Sequence, residues 1–219
     1  MRIGILGAGN MASALGTHWA RAGHEIMVSG RDPGKAAALA DKLGGRSGTW
    51  AEAAGFGEAV LLAVRDDGVP QVLAAAGAAE GALRGRVLID CVNAVVPGAF
   101  TLKNAGGPSV AERVAAAAPG AHVVKAFNLC HEDVWRMTPP VFDGVPLLVP
   151  LCGDDPGALH VVRALVADLG CEPVDAGGLD RAGLLEATMA FMVGLWVRGA
   201  DAQAVVPPLK YAFGAPASR

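Results

Sequence analysis

Residues 1–31 read MRIGILGAGNMASALGTHWARAGHEIMVSGR. The apolar run Ile3 to Leu6 stops at Gly7-Ala8-Gly9, and a helical pattern opens at Asn10 and Met11. A second apolar run, Ile26 to Val28, stops at Ser29-Gly30-Arg31. This is a strand, a tight turn, a helix and a second strand, the unit that holds a dinucleotide at its first turn. Gly7 lets the chain leave the strand with backbone angles that a side chain opposes. Gly9 has no Cβ, so a phosphate can come up against the backbone, and the free amides at the helix start face it. Ala12 stands where a third glycine is usual; it is small enough to keep helix and strand close.

The end of the second strand bears on which dinucleotide. An NAD site usually carries Asp or Glu there, to bind the ribose hydroxyls. Here Ser29-Gly30-Arg31 replaces the carboxylate. A guanidinium grips a 2′-phosphate through paired charge-assisted hydrogen bonds, and the Ser29 hydroxyl adds another. Lys35 brings a second positive charge one turn into the next helix. Asp32 reads as the cap of the helix that opens at Pro33. The pattern favours NADP(H) over NAD.

The chain has 219 residues, 53% of them apolar, enough for one large domain or for one domain plus a small appendage. A net charge of −3 without a basic stripe argues against nucleic acid as a partner. Cys91, Cys130, Cys152 and Cys171 form no C-x-x-C pair and read as thiols of a reducing cytosol, with no metal site. No run approaches the roughly 20 apolar residues that cross a bilayer. The most apolar helical segment, Leu184 to Val197, contains Glu186. A cytoplasmic protein without a membrane partner is expected.

Strands and helices alternate along the rest. Strands are predicted at 59–64, 87–90, 122–126 and 172–174, with another ending near Cys152 toward the sheet's edge because Pro146 and Pro150 flank it. Helices are predicted at 33–43, 69–79, 109–118, 155–169 and 180–197, a loop at 137–145, and a loose end to the tail beyond Gly199. The fold class is α/β: a doubly wound parallel Rossmann sheet over residues 1–176, with a small C-terminal helical portion at 177–219. Ligands of such sheets lie beyond the carboxyl ends of the strands. That selects the loops 7–12, 29–35, 63–68, 91–97 and 126–131. The cofactor-binding candidates there are Gly7, Ala8, Gly9, Asn10, Met11, Ser29, Gly30, Arg31, Lys35, Ala63, Val64, Arg65, Asn93, Ala126 and Asn128, with Asp66 and Asp67 as further polar groups.

Catalytic candidates are weak. His131 lies just beyond a strand and reads as an acid–base group, or as a helix-start histidine beside Glu132 and Asp133. Asn93 and Asn128 read as groups that orient a nicotinamide amide or an acceptor carbonyl, or as turn caps. Trp135, Met137 and Phe142 wall a ring pocket or anchor a loop. Phe191, Met192 and Trp196 read as core or dimer contact. Asp155 reads as a helix cap rather than half of a carboxylate pair with Asp154.

Gly7-Ala8-Gly9-Asn10-Met11, VVKAFN (123–128), CGDD (152–155) and PVDAG (173–177) occur in this order before an apolar helix. Together they resemble the NADP oxidoreductases dependent on the deazaflavin coenzyme F420, over nearly the whole chain. The resemblance implies hydride transfer between NADPH and a small-molecule acceptor, coenzyme F420 or, as in the related ferric reductases, a flavin. It also implies a homodimer and a C-terminal portion that closes the acceptor pocket. The chain departs from the deazaflavin-reducing members in its shorter glycine turn and in Asn128, where they tend to carry His. Two other readings stand beside it. One is a reductase of a small imine such as pyrroline-5-carboxylate, whose family shares GAGNMA. The other is a non-catalytic NADP sensor.

Overall fold

Eight strands form one sheet: β1 (Arg2–Leu6), β2 (Glu25–Ser29), β3 (Arg46–Ser47), β4 (Ala59–Leu62), β5 (Val87–Asp90), β6 (His122–Lys125), β7 (Leu148–Gly153) and β8 (Glu172–Asp175). The computed structural model describes residues 1–209, 212 and 214. The expected loose end of the tail falls on Lys210, Tyr211, Phe213 and residues 215–219, outside the described residues. The strands run in the order β8-β7-β6-β5-β4-β1-β2-β3. Central strands bury both faces. Ile3, Ile5, Leu61 and Ile89 point into one layer, and Leu6, Val60, Leu62 and Leu88 into the other. Side chains alternate between faces along a strand, so a strand covered on both sides reads as an unbroken apolar run.

Eight α-helices cover the sheet: α1 (Asn10–Arg21), α2 (Pro33–Lys42), α3 (Trp50–Phe56), α4 (Val69–Ala75), α5 (Val110–Ala117), α6 (Glu132–Trp135), α7 (Pro156–Ala167) and α8 (Ala182–Trp196). Leu15 and Trp19 of α1, Leu39 of α2, Trp135 of α6 and Val162 and Leu165 of α7 fill one layer. Ala53 of α3, Leu73 of α4, Val114 of α5 and Leu185 of α8 fill the other. The sheet is thus doubly wound. Several helix starts are set by side chains that accept otherwise orphaned amides. Asp32 accepts from Gly34 and Lys35 at 2.9 and 3.2 Å, and Asp155 from Ala158 at 2.7 Å. Thr49 with Glu52 and Ser109 with Glu112 make capping boxes.

The sheet is mostly parallel, and β7 is the exception. It pairs antiparallel with β6 through Cys152 opposite Lys125 and Gly153 opposite Val124, and parallel with β8. Between β6 and β7 the chain makes only α6 and a hairpin, Val141–Phe142 with Val145–Pro146. No crossover helix carries it back across the sheet, so it re-enters from the other end. That hairpin occupies part of the stretch expected as loop. β7 lies one strand in from the edge; the edge strand is β8, with Pro173. The helix expected over 69–79 stops at Ala75, and Gly77 and Gly81 follow with φ of 72° and 87°. Among the described residues no helix is long and apolar enough to cross a membrane.

Candidate dinucleotide cleft

Because β1 lies between β4 and β2, connections leave it in opposite directions, and a crevice opens at its carboxyl end. Gly7 sits there with φ +134°, and its amide donates to the Ser29 carbonyl at 3.0 Å. A Cβ at this position would stand 2.2 Å from the Ala63 carbonyl oxygen, so glycine alone lets the ends of β1, β2 and β4 meet. Gly9 is the N-cap of α1 and offers no side-chain acceptor. A Cβ there would have nothing within 4 Å. The first amides of α1 therefore face open space, the arrangement that receives a phosphate.

The cleft has two lobes. The larger, about 550 Å³, is lined by Gly7, Ala8, Gly9 and Arg31 together with Trp50 and Gln71. The smaller, about 310 Å³, is lined by Gly9, Asn10, Met11, Cys91, Asn93 and Glu132. Gly9, Ala63, Val64 and Arg65 line both, so the lobes are one continuous groove across the turn. An elongated molecule with an anionic middle fits this shape.

Arg31 and Lys35 are exposed at the start of α2, and neither makes an ion pair with another described residue. Arg65 instead turns to Asp67 at 3.1 Å, and Lys103 to Asp66 at 2.8 Å. Ser29 requires a correction. It is fully buried and its hydroxyl donates to the Ile5 carbonyl at 3.0 Å, so it locks β2 to β1 and has no path to a phosphate. Gly30 allows a close approach, since a Cβ there would lie 3.1 Å from the Ala8 methyl. Ala126 and Asn128 are buried and line neither lobe. The Asn93 amide donates to the Asn128 carbonyl at 2.7 Å and accepts from the Asn128 amide at 3.0 Å, so Asn128 holds Asn93.

His131 caps the four-residue α6, its Nδ1 accepting from the Asp133 amide at 3.3 Å, and its side chain is 66% exposed. That is the helix-start role, and His131 does not line either lobe. The neighbouring Glu132 does: it accepts from the Asn10 amide at 2.7 Å, fastening α6 to the start of α1. Sequence reasoning placed Trp50, Gln71 and Glu132 in no site. Of the three, only Trp50 had a local signal, the Thr49-x-x-Glu52 capping box that fixes a helix start beside it.

A buried ionic cluster was also missed. Lys125 Nζ donates to Asp90 Oδ2 at 2.9 Å, to Glu186 Oε1 at 2.8 Å and to the Val92 carbonyl. All three side chains are fully buried. Burial draws the lysine downward, but Asp90 and then Glu186 outweigh it and hold its pKa above the ordinary value. The sequence did contain a signal: one lysine in the apolar strand HVVKAF and one glutamate in the most apolar helix.

A separate apolar cavity of about 930 Å³ lies between α8 and the β6–β7 connection. Met189, Met192 and Trp196 line it with Leu129, Cys130 and Phe142. The expected aromatic cluster is therefore divided. Trp135 is buried edge-on against Phe127, 5.5 Å between centroids, and anchors the loop, while Phe142 faces the cavity. Phe191 is 56% exposed and belongs to no core. All four cysteines are free. Burial pushes Cys91 up to about 12 and Cys130 and Cys171 up to about 11, so these thiols stay protonated near neutrality. Among the described residues no His, Cys, Asp and Glu cluster could hold a metal ion.

Comparison with known proteins agrees with this geometry. Residues 2–94 match the family described as NADP oxidoreductase coenzyme F420-dependent. The F420-dependent NADP reductase of Methanothermobacter marburgensis is 29% identical over 90% of this chain and 93% of its own length. The metalloreductase STEAP3 of Rattus norvegicus is 28% identical over 89% of this chain, which spans only 38% of that protein. A solved protein of Arthrobacter sp. FB24, provisionally designated an F420-dependent NADP-reductase, superposes with a TM-score of 0.79 at 25% identity, covering 90% of this chain and 95% of that one. An imine reductase from Pseudomonas sp. shares the fold, with a TM-score of 0.68 at 18% identity over 90% of this chain and 63% of its own. The glycine turn and most of the residues lining the two-lobed groove fall within residues 2–94, the stretch that is similar to the F420-dependent NADP oxidoreductases.

Proposed function

We propose that the protein binds NADP(H) along the two-lobed groove and transfers a hydride between it and coenzyme F420 or a flavin-like small molecule. The observation that carries the cofactor is the open space at Gly9, before the uncapped amides of α1, with Arg31 unpaired in the same groove and Lys35 exposed one turn into α2. Arg31 and Lys35 then hold the 2′-phosphate, Gly9 and the α1 amides the pyrophosphate, and the smaller lobe with Asn93 the nicotinamide. When bound, the nicotinamide gives or takes the hydride. The chain binds and orients: in the smaller lobe the Cys91 thiol stays protonated, Asp66 is paired with Lys103, and Glu132 holds Asn10. Holding two rings at reacting distance is a sufficient source of rate for such a transfer.

Residues 177–219 are assigned the closing of the acceptor pocket and a homodimer contact. The support is the 930 Å³ cavity, which α8 lines beside Leu129 and Cys130, next in the chain to Asn128. Four free thiols suit a reducing cytoplasm. The test is to mix the purified protein with NADPH and, separately, oxidised coenzyme F420, FMN and 1-pyrroline, following NADPH absorbance. Turnover with F420 or FMN is expected. Turnover with the cyclic imine alone moves the protein to the imine reductases, and tight NADPH binding without any turnover makes it a sensor.

A further inference from the structure

The buried cluster Asp90–Lys125–Glu186 lines neither lobe of the groove, yet it is built around the groove's smaller end. Asp90 and Lys125 are the last residues of the adjacent strands β5 and β6 and stand opposite each other in register. The turn after β5 carries Cys91, Val92 and Asn93 into the smaller lobe. Both backbone polar groups of Val92 are held by the cluster: its amide donates to Asp90 Oδ1 at 2.9 Å and its carbonyl accepts from Lys125. The next residue is Asn93, paired with Asn128. At the other end Glu186 of α8 accepts from Lys125 and from the Val110 amide at 2.9 and 3.1 Å, at the start of α5. Three residues further on, Met189 of the same helix faces the apolar cavity.

A buried ion triad contributes little net stability, because desolvation offsets the attraction, and apolar side chains of equal volume do as well or better. What it does supply is fixed geometry, since each ion is held from several directions. We propose that Lys125, with Asp90 and Glu186, is a positioning residue for the reaction, fixing the Val92–Asn93 turn at the nicotinamide end of the groove against α8. The cluster acts through Asn93 and touches no ligand. The inference rests on the reading of the groove as the NADP(H) site.

The experiment compares two ligands on the intact protein by calorimetry: NADPH, and 2′,5′-ADP, which has the phosphorylated adenosine end without the nicotinamide. Glu186→Gln keeps the side chain's shape and removes its charge. Its NADPH dissociation constant is expected to rise roughly tenfold or more, while that for 2′,5′-ADP stays within about a factor of two. The emission of the bound reduced nicotinamide is expected to shift toward that of free NADPH. Asn93→Ala is expected to give the same split, and the double variant no further loss, since both act on one turn.

Should Glu186→Gln not fold, the charge-free variant Asp90→Asn with Lys125→Met and Glu186→Gln leaves no lone buried ion, and the same split is expected of it. Equal weakening of both ligands, unchanged NADPH binding, or full additivity with Asn93→Ala overturns the proposal. A wild-type protein that binds neither ligand overturns instead the assignment of the groove.

Discussion

Single residues divide the groove's work between fit and charge. Gly7 and Gly9 look alike in the sequence and differ in the structure. At Gly7 a Cβ meets the Ala63 carbonyl at 2.2 Å, whereas at Gly9 it meets nothing within 4 Å. Gly7→Ala is therefore expected to lower the melting temperature even without ligand. Gly9→Ala is expected to melt like the wild type and to lose NADPH binding, because its methyl occupies only the space a phosphate would take. Equal NADPH affinity in Gly9→Ala would remove the pyrophosphate from that position. Arg31→Ala is expected to weaken NADPH by about 1.5–3 kcal/mol, the worth of hydrogen bonds to a charged group, and to leave NADH binding as it was. With Ser29 buried against Ile5, the proposed hold on the phosphorylated end rests on Arg31 and Lys35. An equal loss for both nucleotides in a titration would show that Arg31 acts on something common to them.

The helices and strands show what a sequence displays and what it hides. Asp32, Ser109 and Asp155 cap helices as their spacing predicted, because a cap is a contact between residues two or three apart. The strands β1, β2, β4 and β5 were equally plain as apolar runs, whereas β3, two exposed polar residues, carried no such signal. The direction of β7 was hidden: it depends on the absence of a crossover helix, which no local pattern records. The roles of Ser29 and Lys125 were hidden for the same reason, their partners being 24 to 61 residues away. One cap also gives a pH test. The Ser109 amide and hydroxyl donate to Glu112 at 2.7 and 2.8 Å, and these bonds hold the Glu112 pKa below its ordinary 4.5. A carboxylate depressed by folding stabilises the protein above that value, and the contribution disappears as pH falls through the depressed one. Ser109→Ala is expected to cost about 1 kcal/mol near neutrality. In thermal melts the gap to wild type should narrow in part below pH 4.5, as the wild type loses the charge-assisted bond from the Ser109 hydroxyl to Glu112. A gap independent of pH would assign the cost to the hydroxyl's other bond, accepted from the Glu112 backbone amide at 3.1 Å, and not to the carboxylate.

Among the described residues α8 carries an exposed apolar side. Leu184, Phe191 and Leu195 share one side of α8, the first two 55% and 56% exposed and Leu195 half-buried. Single exposed apolar residues are ordinary, but a contiguous row on one helix marks a contact surface. The buried half of α8 is fixed by Glu186 and Leu185, so the exposed half is presented on a rigid support. In the proposed homodimer a twofold axis brings this row against its copy, where every substitution occurs twice. An interface of about 1,200–2,000 Å² is the usual size for a stable pair, and two glutamates at its centre would each be doubled into like-charge contacts stripped of water. The wild type is expected to sediment at twice its 22.1 kDa chain mass, and Leu184→Glu with Phe191→Glu at the chain mass itself, with an unchanged far-UV spectrum. NADPH binding should survive in that monomer, because neither residue lines the groove. A wild type that sediments as a monomer, or a double variant that stays paired, would put the partner surface elsewhere.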